Sequence, residues 1–111
     1  MEVNIKNTHP NVDKNIEIVM QDFLKFCNIA NPINRKINTV IYDDGNGGEV
    51  THENKIVINV NNKTNKEILK DLANQWMNIF SKLKNVRLNG MESDVLITKF
   101  LENNEQYRGL F

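Results

Sequence analysis

TNKEILKDLANQWMNIFSKLK, residues 64–84, is the stretch on which the reading of this chain turns. It opens with Thr64-Asn65-Lys66-Glu67, the spacing of a capping box. In that motif the threonine hydroxyl accepts from the third helical amide and the glutamate reaches back to the cap amide. Behind it Ile68, Leu69, Leu72, Ala73, Trp76, Ile79, Phe80 and Leu83 recur at three- and four-residue intervals. At about 100° per residue they share roughly 140° of arc, which predicts a helix with one face in a core and Trp76 on that face. Asn74 and Asn78 stand one turn apart, about 180° from the centre of the stripe. Lys82, Lys84 and Arg87 gather at its end, where cations complement the helix dipole. Asn85 to Gly90 break the pattern.

Upstream, Lys55-Ile56-Val57-Ile58-Asn59-Val60 is a β-branched run and predicts a strand. Lys36 to Asp43, with Ile37, Val40, Ile41 and Tyr42, predicts another. Between them Asp44-Gly45-Asn46-Gly47-Gly48 is the strongest turn signal of the chain. A hairpin turn suits it better than a phosphate cradle, since no Gly-Lys-Ser/Thr ending follows. Adjacent strands with short connections make an antiparallel meander the expectation. Farther back, Val12, Ile16, Val19, Met20, Phe23, Leu24 and Cys27 mark one face of a helix from about Pro10 to Asn28. Asn31-Pro32 stops it, and Val3 and Ile5 open the chain as a short strand. Downstream, Val95, Leu96, Phe100 and Leu101 predict a closing helix from Met91 to Asn103, and the tail ends in apolar Leu110-Phe111. Such a tail is expected to dock on the body or on a partner. The order reads as a single α+β domain: N-terminal helix, small antiparallel sheet, long capped helix, C-terminal helix.

Composition narrows the function classes. The 111 residues (12.9 kDa) carry 14 basic and 14 acidic side chains, which argues against nucleic-acid binding by bulk charge. The lone Cys27 makes no intramolecular disulfide, and its place on the apolar face predicts a buried, inert thiol. No apolar run reaches the ~18 residues of a membrane helix, and a cytoplasmic location without membrane contact is expected. The 20 Asn residues are scattered among apolar positions, as in a chain from an A+T-biased genome, so the Asn62-Lys63-Thr64 sequon is attributed to chance.

One constellation carries chemical interest. In Asn74-Gln75-Trp76-Met77-Asn78 the spacing is that of the zinc-peptidase motif H-E-x-x-H, with an amide at each functional position. The β-run Lys55–Val60 precedes the helix, Leu72-Ala73 stands just before Asn74, and Glu92-Ser93-Asp94 follows Asn78 by fourteen residues. On these residues the stretch from Lys36 to Phe100 resembles the zincin-like metallopeptidases, above all small bacterial and phage-type members. The resemblance implies an edge strand beside the active-site helix, and a third ligand at the position of Glu92. It does not imply the chemistry. A lone amide oxygen is a poor replacement for imidazole at zinc, and Gln75 cannot take a proton from a metal-bound water. The expectation is a metal-less, cofactor-free pseudoenzyme with a relict face of Asn74, Gln75, Asn78 and Glu92.

The preferred reading is therefore a non-enzymatic domain that binds another protein, of the kind that serves as an inhibitor or as an accessory factor of a phage or mobile element. Its expected partner surface comprises the amide face of the long helix, the glycine-rich turn around Asn46, and Leu110 and Phe111. Two other readings stay open. One is a small hydrolase with a site around His52, Asp43, Asp44 and Glu92, of which His52, Asp43 and Asp44, with Glu53, would gather about the meander turn. The other is a self-associating structural protein. For Asn74 and Asn78 the plain alternative is a solvated helix face.

Overall fold

The computed structural model describes residues 3–6, 12–30, 37–43 and 55–111. Its elements are β1 (Asn4–Lys6), α1 (Lys14–Ala30), β2 (Thr39–Asp43), β3 (Lys55–Asn59), α2 (Asn65–Lys84), α3 (Glu92–Glu102) and a closing 3-10 turn (Glu105–Leu110). The class is α+β as expected, but the sheet is not a meander. Its order is β1-β2-β3 and both pairings are parallel. Parallel neighbours need a crossover, and α1 supplies one between β1 and β2. Eleven residues, 44–54, separate β2 from β3, far more than a tight hairpin uses. The contiguous run Val40-Ile41-Tyr42 is buried throughout, as befits a strand covered on both faces.

Helix α1 starts after Asp13, whose carboxylate accepts the Asn15 N–H at 2.8 Å, and it runs past Asn28 to Ala30. Asn28 is buried with its amide nitrogen satisfied. Its Nδ2 donates to the Leu24 carbonyl at 2.9 Å and to the Ile37 carbonyl at 3.1 Å, which ties the helix to the chain entering β2. Helix α2 carries the expected capping box, with Glu67 N–H donating to Thr64 Oγ1 and Thr64 N–H donating to Glu67 Oε1. It ends where Asn85 adopts φ 54°, a left-handed conformation that asparagine tolerates better than most residues.

The core lies between one face of the sheet and the helices. Ile5, Val40 and Ile56 form one row across the strands, and Tyr42 pairs with Ile58 in the next. Against them pack Val19, Met20, Phe23 and Leu24 of α1 and Leu69, Leu72, Ala73 and Trp76 of α2. The stripe of α2 departs from expectation at two positions. Met77, on the flank where α3 packs, is buried, and Leu83, in the last turn, is exposed. The tail docks on the body. Tyr107 donates its hydroxyl to Asp22, and Asn65 Nδ2 donates to the Leu110 carbonyl at 3.4 Å.

Candidate functional site

The three amides in the middle of α2 do different things. Asn74 and Asn78 are exposed, while Gln75 is half-buried. Gln75 Nε2 donates to the Val57 carbonyl at 2.6 Å and lies 3.4 Å from Asp71 Oδ1. Because β3 is an edge strand of the sheet, this bond fastens the long helix to the sheet margin. At the position to which the zincin resemblance would give a general base, the side chain ties the helix to the strand.

Helix α3 crosses beside α2 and separates two clefts. One flank of α3, with Asp94, Ile97, Thr98 and Leu101, faces a cleft of about 710 Å³. The opposite wall comes from the first half of α2, with Lys66, Lys70 and Asn74, and Phe111 closes one end. Leu69, Ile97, Leu101 and Phe111 make its apolar lining. Two ion pairs brace the rim: Lys63 with Asp71 at 3.3 Å, and Lys70 with Asp94. Lys66 enters no ion pair with a described residue. Lys63, Lys66 and Lys70 recur at three and four residues, a one-sided cationic row that the sequence displayed and the motif reading passed over.

The other flank of α3, with Glu92, Val95, Leu96 and Lys99, faces a second cleft of about 410 Å³, walled by Phe26, Ala30 and Met77. Glu92 accepts the Asn89 N–H at 2.8 Å, and that bond holds its carboxyl below the usual range. Its second oxygen is closed to solvent and has no hydrogen-bond partner. Of the residues singled out from the sequence, Asn74 and Phe111 therefore share a cleft. Glu92 does not join them, because it lies about 200° around α3 from Asp94. Asn78 lines neither cleft, and Leu110 is half-buried against the core.

The remaining candidates are quickly placed. Cys27 is buried, and burial pushes its thiol far up, as suits an inert side chain. Asp44, Asn46, His52 and the glycine-rich turn lie outside the described residues. Asp43 sits beside Asn59 and Thr39 beside Lys55, so the parallel register puts Asp43 at the sheet end opposite the start of β3. The hairpin round which the His52 cluster was expected to gather is thus not formed by β2 and β3. Among the described residues no three His, Cys, Asp or Glu side chains come together as a metal site, and no helix is long and apolar enough to cross a membrane. Comparison with known proteins finds no family model, no curated protein and no solved structure that matches the chain.

Proposed function

We propose that this chain is a non-catalytic protein-binding domain, a metal-less scaffold of zincin-like pattern that serves as an inhibitor or accessory factor. The observation that carries the reading is the engagement of Gln75 with the Val57 carbonyl. A side chain committed to holding α2 on β3 has no proton-transfer role to lose, and an amide has no basicity to offer. What the same helix presents outward is a recognition surface. Asn74 offers a neutral donor and acceptor, Lys66 a cation without an ionic partner among the described residues, and Phe111 an aromatic ring, all around an apolar lining. That mixture of an apolar centre with a polar rim is the anatomy of a protein interface.

The test is capture of the tagged chain with cross-linking in its native cells, run beside the double variant Asn74→Arg/Phe111→Ala. Both positions are exposed, so the variant should melt with the parent. The expected result is one co-captured protein that the double variant loses and Asn78→Ala keeps. Identical capture by all three chains overturns the cleft assignment. Peptide hydrolysis by the purified chain that disappears in Gln75→Ala overturns the non-catalytic reading.

A further inference from the structure

The charged lining of the cleft between α2 and α3 is balanced in number, with Lys63, Lys66 and Lys70 against Glu67, Asp71 and Asp94. It is not balanced in what it leaves free. All three acids are engaged within the chain: Asp71 by Lys63 at 3.3 Å, Asp94 by Lys70, and Glu67 by the Thr64 N–H at 3.0 Å. Of the three cations, Lys66 has no ionic partner among the described residues. It is exposed and is the second residue of α2. The helix dipole there opposes a cation and favours an anion, so Lys66 works against its own helix. The apolar part of the cleft reaches the same end. Asn65, next to Lys66, donates to the Leu110 carbonyl, which brings Phe111 to the first turn of α2. Phe111 is 38% exposed there, beside a lining of Leu69, Ile97 and Leu101.

Building on the protein-binding reading, we infer that the cleft takes an acidic, apolar segment of the partner. A bulky apolar side chain enters between Phe111 and the Leu69, Ile97 and Leu101 lining, and a neighbouring Asp or Glu carboxylate pairs with Lys66. The anchor in the apolar pocket supplies the affinity, and the charge at the rim selects which segment is accepted. A basic segment would meet Lys66 as like charge and would find every acid of the cleft already engaged.

Selection of a phage-displayed random-peptide library on the purified chain tests this, followed by titration of the synthetic consensus peptide by fluorescence anisotropy. The expected consensus sets a large apolar residue beside Asp or Glu. Its affinity should decline with added salt. Lys66→Glu should weaken it by about tenfold, since an attraction becomes a repulsion, whereas Lys66→Arg should keep it. Lys99→Glu makes the same change of net charge outside this cleft and should bind as the parent does. Because Lys66→Glu places an acid in the first helical turn, it should melt no lower than the parent, which separates lost binding from lost fold. A consensus that is basic or uncharged overturns the assignment. So does an acidic peptide that binds Lys66→Glu as well as the parent, or the absence of any peptide that the Asn74→Arg/Phe111→Ala variant loses. Capture in the native cells tells the two readings apart: a partner lost by that double variant but kept by Lys66→Glu leaves the protein-binding reading standing and removes this one.

Discussion

Packing on the sheet side of α2 and packing on its α3 side follow different rules. Toward the sheet, Ile56, Ile58, Leu72, Ala73 and Trp76 have no solvent contact at all, and they meet an equally closed face of α1. Toward α3 the join is less deeply buried. Only Ser93, Leu96 and Phe100 of that helix are buried, Ile97 and Leu101 are partly so, and Lys70 pairs with Asp94 across the join, while the closing turn is tied down by Tyr107 on Asp22 of α1 and by Asn65 on Leu110. The sheet side supplies the bulk of folding free energy by removing apolar area from water. The α3 side holds a helix in place while leaving clefts on both of its flanks. Surfaces that bind belong to the weaker-packed part of a domain, and here both clefts flank α3.

Trp76→Ala should break the contrast most severely. The indole is fully buried and stacks on Phe80 at 5.4 Å, so its loss is expected to cost about 3–5 kcal/mol, measured by denaturant unfolding. Trp76→Phe sharpens the point. Trp76 Nε1 is buried without a hydrogen-bond partner, and removing an unsatisfied donor offsets part of the lost volume. The phenylalanine variant should therefore cost clearly less than the alanine one.

Phe100→Ala probes the other region with a side chain of similar burial. Its ring meets Phe23 edge-on at 5.3 Å and stacks with Tyr107 at 6.0 Å. The expected loss is again about 3–5 kcal/mol in the α3 region, but native-state hydrogen exchange should show it locally. Amides of α3 and the closing turn lose protection first, while those of β2 and β3 keep theirs. Equal loss in both regions would show that the two behave as one cooperative unit.

Between the two regions stands Gln75. Gln75→Glu sets a carboxylate against the Val57 carbonyl and beside Asp71. A destabilisation of about 1–3 kcal/mol is expected near neutral pH, because an acceptor then faces acceptors. The sign with pH follows from the same geometry. These neighbours oppose ionisation, so the introduced carboxyl is raised in the folded state, and the penalty should shrink as acid protonates it. A substitution that instead stabilised the chain would undo the structural role given to this residue.

How far the sequence foretold all this differs by element. The capping box, the stripe of α2, the buried Cys27 and the closing helix are local patterns, and local patterns are what periodicity reads. Strand direction is not local. Parallel and antiparallel sheets are built from the same β-branched residues, and the glycine-rich stretch 44–48 outweighed the one useful signal, the unbroken Val40-Ile41-Tyr42 run of a doubly covered strand. The candidate site divides the same way. Exposure of Asn74 and Asn78 follows from helix phase. The turn of Gln75 toward Val57 and the split of Glu92 from Asp94 around α3 depend on tertiary packing, which no single helix encodes.

Thr64→Ala removes an interaction common to neither region, since the cap stands where β3 passes into α2. The expected cost is about 1 kcal/mol. The backbone N–H of Thr64, with its hydroxyl, holds the Glu67 carboxyl below its usual range. A carboxyl lowered by folding contributes stability above its unfolded pKa and loses it as pH falls through the folded one. The parent should therefore show an acid-side decline that Thr64→Ala reduces in part, since the substitution removes the hydroxyl but keeps the backbone N–H that lowers the carboxyl most.

Tyr107→Phe is the gentlest cut across the α3 side. It keeps the ring on Phe100 and removes only the hydroxyl that donates to Asp22. The bond to that carboxylate, more than burial, raises the phenol above its ordinary value. A group raised by folding contributes stability below its unfolded pKa and loses it as pH climbs through the folded value. The variant should thus be weaker than the parent by about 0.5–1.5 kcal/mol at neutral pH, and the gap should close in alkaline solution as the parent's phenol ionises. Urea unfolding at neutral and alkaline pH measures both values. A gap that stayed constant with pH would mean that the tail is held by its stacked ring alone, and the polar clamp would then drop out of what distinguishes this side of α2 from the sheet side.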